Sequence, residues 1–376
     1  MSDKKTSSGR LLSIDVTRGY AMFYTMGVTG MFTALANGTQ NPVIIEKMAK
    51  VMTHAAWNGL PYCDTIFPMF IFISGLTFPF SAAKRERSGS SRLDLYIMIA
   101  KRCLTLILLG FVYNGLLSNF DFAGMRYYSV LGRIGIAWSL AAVIYLNTKK
   151  AYTRAIWTGG ILIAYWLALT LFSAPDMPGA GNFTMQGNIT GYIDRTLFPG
   201  HLYNEYYDPE GLLSTFAAVS TALMGMLTGQ FLLWKNKKFT QKKKCAYMLA
   251  AGVILIMIGK IWARILPLNK RLWTSSFNCV VCGMALFTFA VFYYIIDIRG
   301  IKWWTPPLTA LGVNAIAAYF GWEVFGRFEF TSKYLFGGVA SLFPASYTQF
   351  FTLLGGIIIE WAIIYFLYKK KVYIKI

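Results

Sequence analysis

Apolar residues run along most of this chain in long stretches that short polar segments separate. Each long stretch is sufficient to cross a hydrocarbon core of ~30 Å as a helix. The pattern predicts ten membrane spans, at residues 11–36, 60–83, 95–117, 127–147, 154–173, 212–234, 246–266, 273–296, 305–325 and 347–368. A further apolar piece at 334–343 is too short to span and predicts a re-entrant or interfacial segment.

Composition supports the same class of protein. The 376 residues are 56% hydrophobic and 14% charged, whereas a soluble domain carries roughly 25% charged residues. We predict an all-α polytopic membrane bundle of about ten transmembrane helices. Residues 11–368 form one transmembrane domain, preceded by a disordered segment at 1–10 and followed by a tail at 369–376.

The charge distribution predicts how the spans are oriented. The net charge is +20, and 24 of the 36 Lys and Arg residues fall in alternate connecting segments on one side. Basic residues in short loops favour the cytoplasmic side, so we expect both termini there, and the loops at 37–59 and 174–211 on the outer side. This scattering between spans argues against a nucleic-acid partner and predicts a lipid bilayer around the protein.

The sequence lacks the familiar motifs of cofactor and metal sites. The sequence has no nucleotide-binding glycine loop, metalloprotease helix or serine nucleophile elbow. Cys279 and Cys282 form a CxxC pair, but their neighbours are apolar and include no histidine or carboxylate, so we interpret both as packing residues and predict no metal site.

Polar residues within or beside the apolar stretches are the candidates for function. His54 precedes a span that begins near Asp64, and histidine exchanges protons near neutral pH. An ionisable group at hydrocarbon depth is a functional hypothesis, although His54 could instead anchor a helix end. Arg133 lies well inside a span and needs a partner, for which Asp64 is one candidate.

Asp15 and Arg18 stand one turn apart near the predicted cytoplasmic face. They could form a local ion pair, or Arg18 could bind an anion such as phosphate. Towards the outer face, further polar groups interrupt or border the spans: Asn58, Asn269, Lys270, Asn314 and Glu323.

Several of these segments resemble the heparan-α-glucosaminide N-acetyltransferase family of transmembrane acyltransferases. The resemblance covers nearly the whole chain and is carried by segments in the family's order: Ser13-Ile-Asp-Val-Thr-Arg-Gly19, His54-Ala-Ala-Trp-Asn-Gly59 with Asp64 and Phe67-Pro68, Val130-Leu-Gly-Arg133, Gly191-Tyr-Ile-Asp-Arg195, His201-Leu-Tyr203, Tyr207-Asp-Pro-Glu-Gly211, and Pro267-Leu-Asn-Lys270 with Leu272-Trp273, then Asn314 and Glu323. The chain looks like a compact bacterial form, which places it in the bacterial inner membrane.

The resemblance implies transfer of an acetyl group from cytosolic acetyl-CoA to the amine of a glucosamine-type sugar on the outer side, without a metal. It implies His54 as base or acetyl carrier, and we expect Asp64 and Asn58 to support it in catalysis. Arg18, Arg133 and Asp15 are the candidates for binding the donor. The candidates for binding the sugar are Trp57, His201, Asp208, Glu210, Asn269, Lys270, Asn314 and Glu323.

One position departs from the family pattern. The lysosomal members have an asparagine late in the first span, where counting from Arg18 reaches Thr29 in this chain.

Two other functions are alternatives to acetyl transfer to an amine: transport of an amino sugar, and O-acylation of an envelope glycan. The sequence also leaves a homodimer open.

Overall fold

A computed structural model describes residues 11–374 of the chain. The segment predicted to be disordered, 1–10, and the last two residues of the tail lie outside this range. Within it the fold is a bundle of α-helices without a β-strand, and only Ser173 and Asn188 form an isolated bridge. The helices, in chain order, are α1 (Leu12–Phe23), α2 (Thr29–Gly38), α3 (Pro42–Met52), α4 (Ile66–Arg87), α5 (Arg92–Tyr113), α6 (Leu116–Asn119), α7 (Val130–Asn147), α8 (Ala151–Leu171), α9 (Ile189–Leu197), α10 (Leu212–Leu233), α11 (Gln241–Trp262), α12 (Ser275–Phe292), α13 (Pro306–Val313), α14 (Ala315–Val324), α15 (Glu329–Ala340) and α16 (Thr348–Lys369).

Eight helical segments within residues 11–374 are long and apolar enough to cross a membrane. They correspond to eight of the ten predicted spans and confirm an all-α, polytopic membrane bundle. The apolar piece near 334–343 becomes α15, which packs on α16, where Ser332 Oγ donates to the carbonyl oxygen of Thr352 at 2.7 Å.

The other two predicted spans, at 11–36 and 305–325, are interrupted helices in the structure. In the first span, a π-helical turn at Tyr24–Val28 separates α1 from α2. Gly27 there has a φ of 86°, and a Cβ at this position would lie 2.4 Å from Cζ2 of Trp322. Only glycine takes this conformation easily and leaves room for the ring.

The second break separates α13 from α14 at Asn314. Its side chain is buried and bonds to the backbone of the tail, donating to the carbonyl oxygen of Val372 at 3.2 Å and accepting from the amide of Ile374 at 3.0 Å. Asparagine amides compete with helical hydrogen bonds for backbone partners, and this one joins the helix break to a distant segment.

Small residues allow three helix pairs to approach closely. A Cβ at Gly75 of α4 would lie 2.1 Å from the carbonyl oxygen of Ala222 in α10. A Cβ at Gly312 of α13 would lie 1.8 Å from the carbonyl oxygen of Asp15 in α1, and Gly252 of α11 packs against Gly283 of α12 in the same way. Such contacts are typical of helix packing in membranes.

The polar loops meet at one end of the bundle, which we call the loop end. Trp57 Nε1 donates to the carbonyl oxygen of Phe183 at 2.7 Å, and the amide of Gly59 donates to Leu268 at 2.8 Å. The first contact joins the loop at 37–59 to that at 174–211, the two loops that the charge pattern places on one side, and the second joins it to the segment between α11 and α12. The longer loop also contains α9, whose first turn Asn188 caps.

Candidate active site

His54 and Asp64 form the centre of a polar cluster at the loop end. The chain leaves α3 at Met52, crosses above the bundle and enters α4 through a short 3₁₀ turn that holds Asp64. Asp64 Oδ1 lies 2.6 Å from His54 Nδ1, and its other oxygen accepts from the amide of Ala55 at 3.2 Å. The Asp64 side chain is 2% exposed and that of His54 55%. The buried carboxylate thus fixes the imidazole by Nδ1 and leaves Nε2 available on the accessible side.

Lys270 completes this cluster from the segment between α11 and α12. Its Nζ donates to the same Asp64 oxygen at 2.9 Å and lies 3.3 Å from His54 Nδ1. The ammonium therefore balances the charge of the buried carboxylate. Asp64 was one candidate partner for Arg133, but in the structure its partners are His54 and Lys270.

Cys63 is close to the same imidazole, and sequence reasoning gave it no role. Its buried Sγ lies 3.4 Å from His54 Nδ1. Cys63, His54 and Asp64 each offer a ligand atom within 4.8 Å of the others, which is a geometry that can hold a metal ion. The Lys270 ammonium occupies the cation position beside two of these ligands, so the residues present fit a fixed side-chain cation better than a metal.

A cavity of about 480 Å³ opens beside His54. Both interrupted helices contribute to its wall, and the floor is apolar. The residues that line it include Met22, Thr29, His54, Phe70, Arg126, Ile134, Tyr203, Glu210, Lys270, Arg271, Ala315, Tyr319 and Glu323. Thr29, where the family pattern departs, thus borders the same space as His54.

Arg126 and Glu210 form the rim of the cavity, and buried Asp208 pairs with Arg126 behind it. Arg126 donates to both oxygens of Asp208, at 2.7 and 2.6 Å, and to Glu210 at 2.6 Å. Burial would lower the pKa of Arg126, but the two carboxylates outweigh burial and raise it above its usual range. Arg126, a residue that sequence reasoning missed, therefore offsets one of the two negative charges expected to attract a cationic sugar.

Asp194 is a second buried carboxyl group behind this rim. Its Oδ1 accepts from the amide of Leu212 at 2.9 Å and so begins α10. Burial raises the pKa of Asp194 to about 7, and the charge of Asp208 adds to this shift, while the hydrogen bond from Leu212 opposes it. Asp194 consequently titrates near neutral pH.

Two curated proteins are similar to this chain over most of its length. One is the human heparan-alpha-glucosaminide N-acetyltransferase, 30% identical over 325 residues, which are 73% of this chain and 49% of the relative. The other is the mouse heparan-alpha-glucosaminide N-acetyltransferase, 28% identical over 371 residues, which are 85% of this chain and 54% of the relative.

The chain belongs to the heparan-alpha-glucosaminide N-acetyltransferase family. It spans about half the length of the curated relatives it matches. No protein-family model matches the chain.

Among the residues that carry the resemblance to this family, three join loops instead of lining the cavity. Asn269 is fully buried, donates to Asn58 Oδ1 at 3.0 Å and accepts from the amide of Leu272 at 2.8 Å. Trp57 contacts the ring of Tyr207 edge to face, with centroids 4.9 Å apart. Asn58, Asn269 and Trp57 thereby hold the His54 segment against its neighbours.

Other candidates lie away from His54. Arg133 is buried against Ser214, Thr215 and the ring of Trp273 and does not line the cavity. His201 is exposed and its Nδ1 lies 2.6 Å from the carbonyl oxygen of Gly124.

Asn314 and Glu323, both expected near the outer face, occupy different levels. Asn314 stands at the break before α14 and binds the tail, whereas Glu323 lines the cavity, 3.8 Å from Arg327. Asp15 and Arg18 lie on α1 beyond the cavity floor, and Arg18 Nη1 donates to the carbonyl oxygen of Gly312 at 3.4 Å.

Proposed function

We propose that this integral membrane protein transfers an acetyl group from acetyl-CoA to the amine of a glucosamine-type sugar. The observation that carries the proposal is the His54 imidazole, held at Nδ1 by buried Asp64 and opening onto the cavity. The names of both curated relatives, which describe an N-acetyltransferase of heparan-alpha-glucosaminide, support the choice of group and acceptor.

His54 can act by two balanced routes. As a base, Nε2 takes a proton from the attacking amine while the C–N bond forms and the C–S bond of the thioester breaks; the proton then passes to the CoA thiolate. As an acetyl carrier, Nε2 attacks the thioester first and the C–S bond breaks to release the CoA thiolate. The amine then attacks the acetyl-imidazole, the acetyl–Nε2 bond breaks, and the amine proton passes through the imidazole to the thiolate. In either route Asp64 orients the ring and stabilises its protonated or acylated form, as the acid of a catalytic triad does.

We further propose that the acceptor enters at the loop end, on the outer side of a bacterial cytoplasmic membrane, and that the donor enters from the cytoplasmic side. The positive-inside distribution of Lys and Arg supports this orientation. The loops with Trp57 and Phe183 meet at the end where the cavity opens. The homodimer stays a prediction.

Labelled acetyl transfer tests the proposed function. The purified chain, reconstituted in vesicles with acetyl-labelled CoA and glucosamine, should place label in the sugar. His54→Ala should abolish transfer, with a loss of at least about a hundredfold. Gln186→Ala is the control, because Gln186 is an exposed loop residue that does not line the cavity. Equal loss in the two variants would refute the role of His54.

The interrupted helices favour one other function, transport of an amino sugar. Transporters bind substrates where helices are broken, and both breaks lie at the cavity here. Uptake of unmodified glucosamine into vesicles, unchanged in His54→Ala, would establish transport in place of transfer. A labelled ester instead of an amide would identify an O-acyltransferase.

A further inference from the structure

Glu360 lies on the buried face of α16, where the other side chains are apolar. The residues of this face recur at intervals of four, three and four, as one side of a helix requires: Leu353, Ile357, Glu360 and Ile364. All four are buried, and Glu360 is 2% exposed. The helix belongs to a segment that is long and apolar enough to cross a membrane. At 1.5 Å per residue Glu360 is about 18 Å from the first residue of the helix and about 14 Å from the last, so its carboxyl group lies near the middle of the bilayer.

The carboxyl group of Glu360 has no partner in the described part of the chain. Neither oxygen forms a hydrogen bond within residues 11–374, and none of the ion pairs in that range includes Glu360. The backbone amide of Trp322 is close to it but does not complete a hydrogen bond. A buried carboxylate without a partner is costly, and such a group is neutralised by a cation or a proton.

The ionisable groups of the neighbouring elements do not supply that cation. The helices α2 and α13, which both pack on α16, carry no charged residue. Glu323 of α14 lies 3.8 Å from Arg327 of the following turn. Glu329 and Lys333 of α15 are exposed. Two tyrosines of the π-helical turn and α14 line the cavity instead, Tyr24 and Tyr319.

Both interrupted helices border this face of α16. Ile357 and Ile364, three residues before Glu360 and four after it, belong to one apolar cluster with residues from each of these helices. From the interrupted helices the cluster includes Met22, Met26, Leu311, Ala315 and Trp322. Transporters bind protons or sodium ions near the midplane of the membrane, at discontinuous helices. Glu360 thus occupies the kind of position at which such proteins hold an ion.

Close packing around the carboxyl group favours a proton over a larger ion. A Cβ at Gly321 of α14 would lie 3.3 Å from Glu360 Oε1. A Cβ at Gly356, one turn earlier on α16, would lie 2.4 Å from the carbonyl oxygen of Arg327. A sodium ion is coordinated by several oxygen atoms, including backbone carbonyls, whereas a proton needs only the carboxylate itself.

We propose that Glu360 is a proton-binding site of the membrane domain and exchanges its proton with the cavity. On release, the O–H bond of the carboxyl group breaks, and the proton passes by way of the Glu323 carboxylate to solvent in the cavity. The reverse transfer reloads Glu360. Gly321, which packs on Glu360, is two residues from Glu323, and Glu323 lines the cavity. The site goes beyond the proposed function, because its occupation needs neither an acetyl donor nor an acceptor.

Infrared difference spectroscopy tests this site on the full chain in lipid vesicles. A protonated carboxyl group absorbs at a frequency that a carboxylate does not share. The wild-type spectrum at neutral pH minus that of Glu360→Gln should therefore contain the band of one protonated carboxyl group. The subtraction removes the contribution of Asp194, which titrates in the same pH range. Glu329→Gln is the matched control and should keep the band, since Glu329 is an exposed glutamate of the neighbouring helix.

Exchange is tested by the same band. Transfer of the wild-type chain to alkaline buffer should abolish it, and return to neutral pH should restore it. Glu323→Gln should slow the loss about a hundredfold, the low end of what a positioned proton-transfer group contributes. Equal spectra of wild type and Glu360→Gln at neutral pH would overturn the proton site. A band that persists in alkaline buffer would overturn exchange, and an unchanged rate in Glu323→Gln would overturn the path through the cavity.

A sodium ion is distinguished from a proton by thermal stability. The thermal midpoint of the wild-type chain is measured in sodium chloride and in choline chloride at equal concentration, and a proton site predicts equal midpoints. A higher midpoint in sodium chloride that Glu360→Gln removes would overturn the proton as the occupant. Should Glu360→Gln fail to fold, isotopically labelled glutamate in the wild-type chain shifts the band of a glutamate but not that of an aspartate, and so carries the comparison.

Discussion

Lys270 determines which cation the His54 cluster holds. Its ammonium lies 2.9 Å from Asp64 Oδ1 and 3.3 Å from His54 Nδ1, next to a third ligand atom, Cys63 Sγ. Nitrogen, sulfur and carboxylate oxygen are the donors that zinc prefers. The Lys270 ammonium therefore occupies the position that a metal ion would take among these three ligand atoms.

Removal of Lys270 should convert the cluster into a zinc site. We expect purified Lys270→Met to retain about one zinc ion per chain by elemental analysis, because His54, Cys63 and Asp64 then supply three ligands. Wild type and Lys270→Arg should retain far less, since both place a cation there. Cys63→Ser in the Lys270→Met background should lose the metal. The same zinc content in wild type and Lys270→Met would show that the lysine does not protect the cluster.

Asp194 should make the stability of the chain depend on pH. Burial raises its native pKa to about 7, whereas an unfolded aspartate titrates near about 3.9. Between these values the native state binds more protons than the unfolded state, so stability is greatest at the acid end and falls as pH rises towards about 7. The thermal midpoint of the wild-type chain should therefore fall between pH 5 and pH 8. The Asp194→Asn variant should show a smaller decrease.

Asp121→Asn is the control for this comparison. Asp121 is exposed and its carboxylate accepts from the amides of Ala123 and Gly124, bonds that an asparagine oxygen can also accept. The variant should keep the wild-type pH dependence. A slope that is the same in wild type, Asp194→Asn and Asp121→Asn would exclude Asp194 as its source.

At the scale of the elements, the two breaks shape the cavity. The π-helical turn before α2 and the gap between α13 and α14 both border it, and Trp322 of α14 packs directly on Gly27 of the turn. Non-helical backbone is tolerated at membrane depth where it lines a cavity or is buried in protein. The breaks are thus part of the site's architecture.

Gly27→Ala should destabilise the chain. A side chain at a φ of 86° costs roughly 1–2 kcal/mol, and the added Cβ would lie 2.4 Å from the Trp322 ring. We expect a lower thermal midpoint and weaker CoA binding. Gly160→Ala in α8 serves as control, since nothing lies within 4 Å of its Cβ position; it should be neutral to within about 0.5 kcal/mol. A Gly27→Ala midpoint equal to that of Gly160→Ala would argue against the strain.

At the scale of the whole molecule, the apolar pattern was sufficient for the class of fold. Eight spans, the all-α architecture and the shared end of the two long loops follow from hydropathy and charge. The two helix breaks do not follow from them. Gly27 packs against Trp322 and Asn314 bonds to Val372, and only folding brings these partners together. A hydropathy window has no access to such contacts.

The candidate site was predictable to a similar degree. The ten-residue spacing of His54 and Asp64 and the family resemblance pointed to that pair before any contact was visible. Arg126 and Lys270 have partners 82 and 206 residues away, respectively. Which acid each one pairs with depends on helix packing, and so the sequence alone could not show that both acids expected to bind the sugar are paired with Arg126.

Orientation can be tested on the intact chain. We expect a cysteine at Ser88 to react with a membrane-impermeant maleimide added from the cytoplasmic side, and one at Gln186 to react from the outer side. Both positions are exposed and lie in segments of opposite predicted sidedness. Four of the native cysteines are buried and Cys103 is partly so, which keeps background labelling low. Reaction of the two positions from the same side would contradict the positive-inside assignment.

The close approach of α1 and α13 has a consequence for how the protein is made. Gly19 packs on the backbone of Leu308, and Gly312 on that of Asp15, so α1 packs closely on a helix that is synthesised much later. Membrane helices insert individually before they associate. During synthesis α1, with its buried Asp15 and half-buried Arg18, must therefore remain in the bilayer without its final neighbour. Ribosome stalling before α13 should leave a species that depends on an insertase or chaperone, whereas stalling after α14 should not.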